Sequence, residues 1–260
     1  MPPPRILIIA GSDSSGGAGI QADIKTVTCL GGYAMTAVTA VTVQNTLGVS
    51  GIHAIPAEIV AAQVRACIDD IGVDAIKIGM IGGAETVRAV AAALAGVGVP
   101  IVVDPVMVAK GGASLLDDDA ALAMIELLLP MAAVVTPNTP ELAMLAGTEI
   151  EDDADALLAA QELLLLGSGA VLAKGAHLPG DQIIDWLVTR GQHVAFQSPR
   201  VETRHTHGTG CTLASALATG LGQGLALEAA VVQARAFVAQ GIARAPGFGG
   251  GHGPLGFYPL

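Results

Sequence analysis

The sequence has few aromatic residues and few cysteines. Four Phe, two Tyr and one Trp among 260 residues leave Ala, Val, Leu and Ile to fill the core. This composition suits helices that pack closely on parallel strands. The three cysteines, Cys29, Cys67 and Cys211, are odd in number and far apart, which argues against a disulfide framework or a zinc site. The sequence therefore predicts a protein of a reducing compartment.

Basic residues and long apolar runs are also scarce. Twelve Lys and Arg stand against 23 Asp and Glu, for a net charge of −11, whereas nucleic acid or an anionic lipid surface would need a basic face. No stretch reaches the roughly 18 consecutive apolar residues of a membrane span, and the N-terminal apolar run is too short for a signal peptide. We expect a cytoplasmic protein that binds neither nucleic acid nor a membrane.

The chain does contain a regular alternation of strand and helix patterns. The first of these cover residues 5–10 (strand), 20–30 (helix), 33–44 (strand), 57–71 (helix) and 75–80 (strand). Such repeats form right-handed βαβ units and a mainly parallel sheet. A change of pattern over residues 181–197 predicts an antiparallel hairpin at one edge. We predict an α/β fold with one domain over residues 1–260.

Polar or glycine-rich segments follow the predicted strands. They are G-S-D-S-S-G-G-A-G, Q-N-T-L-G, G-M-I-G-G, D-P-V-M, T-P-N-T-P-E, K-G-A-H and, after the hairpin, H-G-T-G-C. In an open parallel sheet, ligands bind beyond the carboxyl ends of the strands. The segments therefore predict one ligand groove along that edge of the sheet.

The segment G-T-G-C leads directly into a helical pattern. The first-turn N–H groups of a helix have no intrahelical partner and carry the positive end of its dipole, so Gly208, Thr209 and Gly210 predict a cradle for an anion. The same dipole would lower the pKa of Cys211, whose thiolate could accept a proton from a substrate hydroxyl or attack an electrophile. The alternative is a small buried residue that only packs; the neighbouring glycines favour the chemical role.

Two carboxylates and an amide also follow predicted strands. Asp104, Asn138 and Glu141 suit Mg²⁺, which prefers oxygen ligands and often bridges to a substrate phosphate. Taken singly, Asp104 and Asn138 could simply cap loops. Lys174 ends an apolar strand, where an unpaired cation is costly to bury, so we expect it to reach a phosphate oxygen. Lys77 could do the same or pair with a carboxylate.

Two further patterns give weak signals. Residues 17–22 imitate a dinucleotide-binding fingerprint, but the first strand ends too early and the second lacks an acidic residue to hold a ribose. His205 and His207 form an H-x-H pair with no evident third metal ligand, which favours a loop or strand role.

The motifs together resemble the hydroxymethylpyrimidine kinase/phosphomethylpyrimidine kinase family of thiamine biosynthesis. The resemblance runs from about residue 6 to residue 255 and rests on A-G-S-D-S-S-G-G-A-G-I-Q-A-D, V-T-V-Q-N-T-L-G-V, D-P-V-M-V-A-K-G-G, T-P-N-T-P-E and T-H-G-T-G-C-T-L-A-S-A. It implies the ribokinase-like fold, a three-layer α/β/α sandwich. It also implies a homodimer that uses ATP and Mg²⁺ to phosphorylate 4-amino-5-hydroxymethyl-2-methylpyrimidine to its monophosphate and then to the diphosphate.

The resemblance also implies a substrate site. Gln44 would hydrogen-bond the aminopyrimidine edge, and the residues that would shape the same pocket are Gly11, Asp23, Met80 and Val106. A pyridoxal or pyridoxine kinase of the same fold is the alternative, because its substrates are also flat heteroaromatics with a hydroxymethyl group. A non-catalytic ligand-binding protein is a second alternative, against which the retained charged residues and G-T-G-C argue.

The implied nucleotide site uses the residues already singled out. Asp104, Asn138 and Glu141 would organise Mg²⁺ and its waters, and Lys174 would contact an ATP phosphate. Residues 208–211 would form the anion hole over the transferring phosphoryl group. Most ribokinase-like relatives have an aspartate as general base where this chain has Cys211, so the resemblance gives Cys211 the role of base or of orienting the hydroxyl. Gly111 and Gly112 predict a mobile flap over ATP.

Overall fold

The computed structural model describes residues 2–107 and 117–257. The predicted flap with Gly111 and Gly112 lies outside these residues. The strands are β1 Arg5–Asp13, β2 Tyr33–Asn45, β3 Gly48–Ala54, β4 Ala75–Ile78, β5 Ile101–Val103, β6 Val134–Val135, β7 Ala170–Ala173, β8 Gln182–Thr189 and β9 Gln192–Pro199. The helices are α1 Gly19–Cys29, α2 Ala57–Ala66, α3 Ala84–Ala93, α4 Asp118–Ala123, α5 Thr139–Ala146, α6 Asp153–Leu164, α7 Thr209–Gly222 and α8 Leu227–Ala243.

All the described strands belong to one sheet in the order β3-β2-β1-β4-β5-β6-β7-β8-β9. The pairs from β2 to β7 are parallel. At one end β8 and β9 form the predicted antiparallel hairpin. At the other end β3 pairs antiparallel with β2, which was not predicted as a strand because Gly48 and Gly51 weaken its pattern.

Helices cover both faces of the sheet, so the predicted three-layer α/β/α arrangement is confirmed. Side chains along β1 alternate between the faces, as the pleat requires. Leu7 and Ile9 pack in an apolar cluster with side chains of α2 to α6. Ile6 and Ile8 pack in a second cluster with side chains of α1, α7 and α8. Burial of each such side chain contributes about 1.5–3 kcal/mol, and both clusters hold the strand ends in place.

The parallel strands end at the same edge of the sheet, and this brings their following loops together. The loop after β1 passes into α1, and the long connection after β9 leads back to α7 beside it. The C-terminal segment packs against this connection, where the backbone N–H of His207 donates to the Gly253 carbonyl. It also contacts α8, where Gly256 N–H donates to the Gly241 carbonyl. None of the described helices is both long and apolar enough to span a membrane.

Candidate active site

Two adjoining cavities lie at the carboxyl edge of the sheet. The first has a volume of about 420 Å³ and the second about 440 Å³. Of the residues predicted for the site, the first cavity is lined by Gly11, Gln44, Met80, Asp104, Val106, Asn138, Glu141, Lys174, Gly208, Thr209, Gly210 and Cys211. Lys174, Thr209 and Gly210 line both cavities, so the predicted anion cradle stands where the cavities meet.

The cradle is the first turn of α7. Gly208 is the N-cap of this helix with φ of 84°, and its cap makes no side-chain hydrogen bond. A Cβ on Gly208 would overlap the Gly17 carbonyl oxygen, so both the backbone angle and the space require glycine. The Thr209 N–H donates a long hydrogen bond of 3.4 Å to the Thr206 carbonyl. No side chain occupies the cap, so the N–H groups that follow in the first turn can bind an anion.

Lys174 and two carboxylates form a charged cluster beside the cradle. Lys174 Nζ donates to Asp104 Oδ1 at 3.0 Å and lies 3.9 Å from Glu141 Oε2. A Cβ on Gly210 would lie 3.4 Å from the same ammonium. Burial lowers the pKa of Lys174, but Asp104 and Glu141 outweigh burial and raise it. Lys174 is therefore a permanent cation next to the cradle.

Asn138 and Glu141 start helix α5 together. The Asn138 side chain accepts from the Glu141 N–H, and Glu141 Oε2 accepts from the Asn138 N–H at 2.8 Å. These two hydrogen bonds form a capping box. Asn138 therefore has the capping role predicted from the sequence as the alternative to metal binding. Burial raises the pKa of Glu141 to about 7, with Lys174 acting in the opposite direction.

The carboxylates can hold Mg²⁺ only together with other ligands. No cluster of three His, Cys, Asp or Glu side chains within residues 2–107 and 117–257 could hold a metal ion. Mg²⁺ commonly takes one or two carboxylates, with waters and substrate phosphates completing its octahedron. Asp104 and Glu141 both line the cavity beside the cradle, so their donor set fits an ion that arrives with a phosphate.

Cys211 lies in the first cavity, but its predicted thiolate character is wrong. Burial raises the pKa of Cys211 to about 11, and the opposing effects of Lys77 and of a hydrogen bond from the Gly19 backbone are smaller. The sequence shows the glycines beside the thiol, but it does not show that the folded protein buries the thiol. At neutral pH the residue is a thiol.

Asp23 does not line the described cavity walls, contrary to its expected place in the substrate pocket. It is fully buried, with Oδ2 accepting from Lys77 Nζ at 2.8 Å and Oδ1 accepting from Ser215 Oγ at 2.7 Å. Ser215 is one helical turn after Cys211 in α7, so the pair lies beneath the cradle. Lys77 thus pairs with a carboxylate, the second of its two expected roles.

Gln44 and Met80 line the cavity at the side of β1, β2 and β4. Gln44 Oε1 accepts from Thr42 Oγ1 at 3.0 Å, and the Gln44 backbone is held by the Ser14 hydroxyl. A Cβ on Gly11 would lie 3.1 Å from Met80 Sδ, so the missing side chain gives the thioether its space. This wall presents an amide beside apolar surface, which suits a flat heteroaromatic ring.

Sequence reasoning missed the part played by Asp13. Its carboxylate accepts from the N–H groups of Ser15, Gly17 and Ala18, and it lies 2.8 Å from His207 Nε2. The available signal was the pattern D-S-S-G-G after a strand, since Asp in a turn accepts backbone N–H groups. His207 has the loop role expected for the H-x-H pair.

Comparisons with known proteins agree with this geometry. A family model described as phosphomethylpyrimidine kinase matches residues 13–256. A hydroxymethylpyrimidine/phosphomethylpyrimidine kinase of Streptomyces coelicolor is 48% identical over 97% of this chain and 94% of its own length.

Solved structures of this fold include two close matches. A Bacillus subtilis pyridoxal kinase in complex with ADP is 32% identical, with a TM-score of 0.91 over 99% of this chain and 98% of the other. A phosphomethylpyrimidine kinase from Clostridium difficile is 37% identical, with a TM-score of 0.80 over 90% of this chain and 97% of the other. These likenesses confirm the ribokinase-like fold. Because the family model and the Streptomyces coelicolor relative both cover nearly the whole chain, the chain belongs to the phosphomethylpyrimidine kinase family.

Proposed function

We propose that the protein is an ATP-dependent kinase of thiamine biosynthesis. It phosphorylates 4-amino-5-hydroxymethyl-2-methylpyrimidine to the monophosphate and then to the diphosphate. The observation that carries this function is one cavity that joins two features. Its wall at Gln44 and Met80 suits a flat heteroaromatic ring, and the anion cradle with Lys174 lies at its other end. The name of the Streptomyces coelicolor relative supports the substrate and both transfers.

The second cavity is the proposed nucleotide site. It adjoins the first at Lys174, Thr209 and Gly210, so phosphates of a nucleotide bound there would reach the cradle. The Bacillus subtilis relative was solved with ADP, which supports ATP as phosphoryl donor. We propose Mg²⁺ as the accompanying ion, held by Asp104 and Glu141 with phosphate oxygens and waters. When bound, it would neutralise charge on the phosphates.

The chain's own groups provide positioning and charge. In the first transfer the bond between the γ-phosphorus and the bridging oxygen of ATP breaks and ADP leaves. A bond forms between that phosphorus and the substrate oxygen, and the hydroxyl proton passes to water. Charge spreads over the transferred oxygens. The α7 N–H groups and the Lys174 ammonium stabilise that charge, because the fold holds these donors in position before the reaction begins. The capping box keeps Glu141 in place beside Lys174.

Of the two roles that the resemblance gives Cys211, orientation of the hydroxyl is the one we propose. A thiol with a pKa of about 11 holds its proton at neutral pH, so it is a poor base in the ligand-free protein. Its sulfur can still accept a weak hydrogen bond from the substrate hydroxyl and aim the oxygen at the γ-phosphorus.

A second candidate is a pyridoxal kinase, which the high TM-score to the Bacillus subtilis structure favours. The test is mass detection of products from the pyrimidine alcohol, ATP and Mg²⁺, with kcat/KM measured alongside for pyridoxal and pyridoxine. We expect mono- and diphosphate from the pyrimidine and a higher kcat/KM for it. A higher kcat/KM for pyridoxal would favour the second candidate, and no phosphoryl transfer to any of the three would exclude both.

We further propose a single domain that acts as a homodimer in the cytoplasm. The continuous sheet supports the single domain, since both apolar clusters share it from β1 to β7. The dimer follows from the family resemblance. Sedimentation equilibrium of the purified protein would test it, with the mass of two chains as the expected result and the mass of one chain as the contrary one.

A further inference from the structure

One buried pair of side chains joins the loop after β1 to the anion cradle. Asp13 is the last residue of β1, and His207 directly precedes Gly208. Both line the first cavity, yet they are only 2% and 4% exposed. Asp13 Oδ2 lies 2.8 Å from His207 Nε2. The proposed mechanism uses neither side chain.

The Asp13 carboxylate is fully engaged within the protein. Oδ1 accepts from the N–H and the hydroxyl of Ser15, both at 2.8 Å. Oδ2 accepts from the N–H groups of Gly17 at 3.1 Å and Ala18 at 2.8 Å, in addition to its contact with His207. Burial would raise the pKa of Asp13, but hydrogen bonds from His207, Ser15 and Ala18 outweigh it and hold the pKa at about 2. The carboxylate is thus an internal anchor and a poor proton acceptor.

The same two loops interlock sterically. A Cβ on Gly17 would overlap the His207 imidazole, and a Cβ on Gly208 would overlap the Gly17 carbonyl oxygen. The His207 backbone is also held from the other side, because its N–H donates to the Gly253 carbonyl at 3.1 Å. His207 therefore cannot shift without moving Gly208, where the cradle begins.

We propose that Asp13 and His207 are positioning residues for phosphoryl transfer. Their contact holds the cradle of α7 at a fixed distance from the loop after β1, which forms the substrate side of the cavity. The inference rests on the proposed kinase function. A misplacement of about 1 Å at such a site costs on the order of 100-fold in rate, so loss of the contact should affect kcat far more than binding.

The test compares two substitutions of the histidine. His207→Leu removes the ring nitrogen, whereas the longer amide of His207→Gln can place a nitrogen near the position of Nε2. We expect His207→Leu to lower kcat about 30-fold with both KM values within about threefold. His207→Gln should recover kcat to within about threefold of the wild-type value. Ser15→Ala is the control. It removes the hydroxyl that donates to Asp13 Oδ1 but leaves the contact between Asp13 Oδ2 and His207, so kcat should stay within about twofold of the wild-type value.

Each outcome bears on the proposal. Unchanged kcat in folded His207→Leu, or equal losses in the Leu and Gln variants with wild-type Tm, would overturn the positioning role. If His207→Leu does not fold, His207→Asn replaces it, since its shorter amide does not reach Asp13; unchanged kcat there also overturns the role. A wild-type protein that transfers no phosphoryl group overturns the kinase function itself, whereas an active wild type with unaffected variants overturns only the positioning.

Discussion

Among single residues, Cys211 connects the cradle to the substrate. If its thiol orients the hydroxyl, Cys211→Ala should lower kcat about 10- to 100-fold, because the reacting oxygen loses its alignment. The KM for the pyrimidine should rise no more than about threefold, since a weak thiol hydrogen bond contributes little to binding. Steady-state kinetics of the first phosphorylation measures both values.

Cys67→Ala is the matched control for this prediction. Cys67 is also a free, partly buried cysteine, and it is not among the described residues that line either cavity. Its replacement should leave kcat unchanged. An unchanged kcat in Cys211→Ala as well would mean that the thiol only packs.

Gln44 is predicted to affect the pyrimidine and not the nucleotide. Gln44→Ala removes the amide from the cavity wall, and loss of a hydrogen bond worth about 1–1.5 kcal/mol should raise the KM for the pyrimidine about 10-fold. The KM for ATP should stay within about twofold. Initial rates with each substrate varied in turn test this; equal increases in both KM values would place Gln44 elsewhere. Gln161→Ala, at an exposed position of α6, is the control.

Sequence reasoning found most of these residues but not their electrostatics. Lys174, Asp104 and Glu141 were predictable because they follow strands whose ends must meet at one edge. The raised pKa of Cys211 was not, because it depends on burial in the folded protein and on the charges of Asp23 and Asp104, which are distant in sequence. Asp13 was missed because its partner His207 is 194 residues away.

At the level of helices and strands, the N-terminus of α7 carries the most specific prediction. Gly208 and Gly224 flank this helix with φ of 84° and 83°, but only Gly208 faces a blocking atom, the Gly17 carbonyl oxygen. Gly224→Ala should therefore cost about 1–2 kcal/mol of unfolding free energy, the cost of a left-handed Cβ. Gly208→Ala should cost more, because the cradle and the loop after β1 must also move apart.

Chemical denaturation and kinetics of the two variants test this difference. Gly224→Ala should keep its kcat, since its Cβ meets no described atom within 4 Å. Gly208→Ala should lose at least about 100-fold in kcat through displacement of the N–H groups. Equal effects of the two substitutions on stability and kcat would mean that the overlap at Gly208 relaxes without consequence.

The strands with the clearest sequence patterns were predicted with the most accurate bounds. The strand predicted over residues 33–44 agrees with β2 to within one residue, because β2 is rich in β-branched residues. β1 continues past the predicted end to Asp13, since the G-S-D sequence that reads as a turn still pairs with β2. β3 was missed because its polar and glycine residues suit an edge strand as well as a loop.

For the chain as a whole, parallel topology explains why a distributed set of motifs forms one site. The parallel strands place their carboxyl ends at one edge, and α7 returns to that edge from the far end of the sequence. The cradle is then attached to the loop after β1 by Asp13 and His207, so the site and the tertiary fold share this contact. Acid should therefore weaken both together.

The sign of this effect follows from the lowered pKa of Asp13. In the unfolded chain the carboxylate has an ordinary pKa near 4, whereas in the folded protein its pKa is about 2. The folded state thus favours the ionised form. This contributes roughly 2 kcal/mol of stability that is fully present above about pH 5 and is lost as the pH falls toward 2.

Urea unfolding of the wild type and Asp13→Asn between pH 3 and pH 7 tests this linkage. The amide does not titrate, so the wild type should lose its advantage in unfolding free energy as the pH falls, by about 1 kcal/mol between pH 7 and pH 3. Other carboxylates titrate in both proteins and cancel in the difference. A difference that stays constant over this range would mean that Asp13 has an ordinary pKa in the folded protein, and a difference that widens in acid would mean that this pKa is raised. Either result would show that the hydrogen bonds to Asp13 do not favour its charged form.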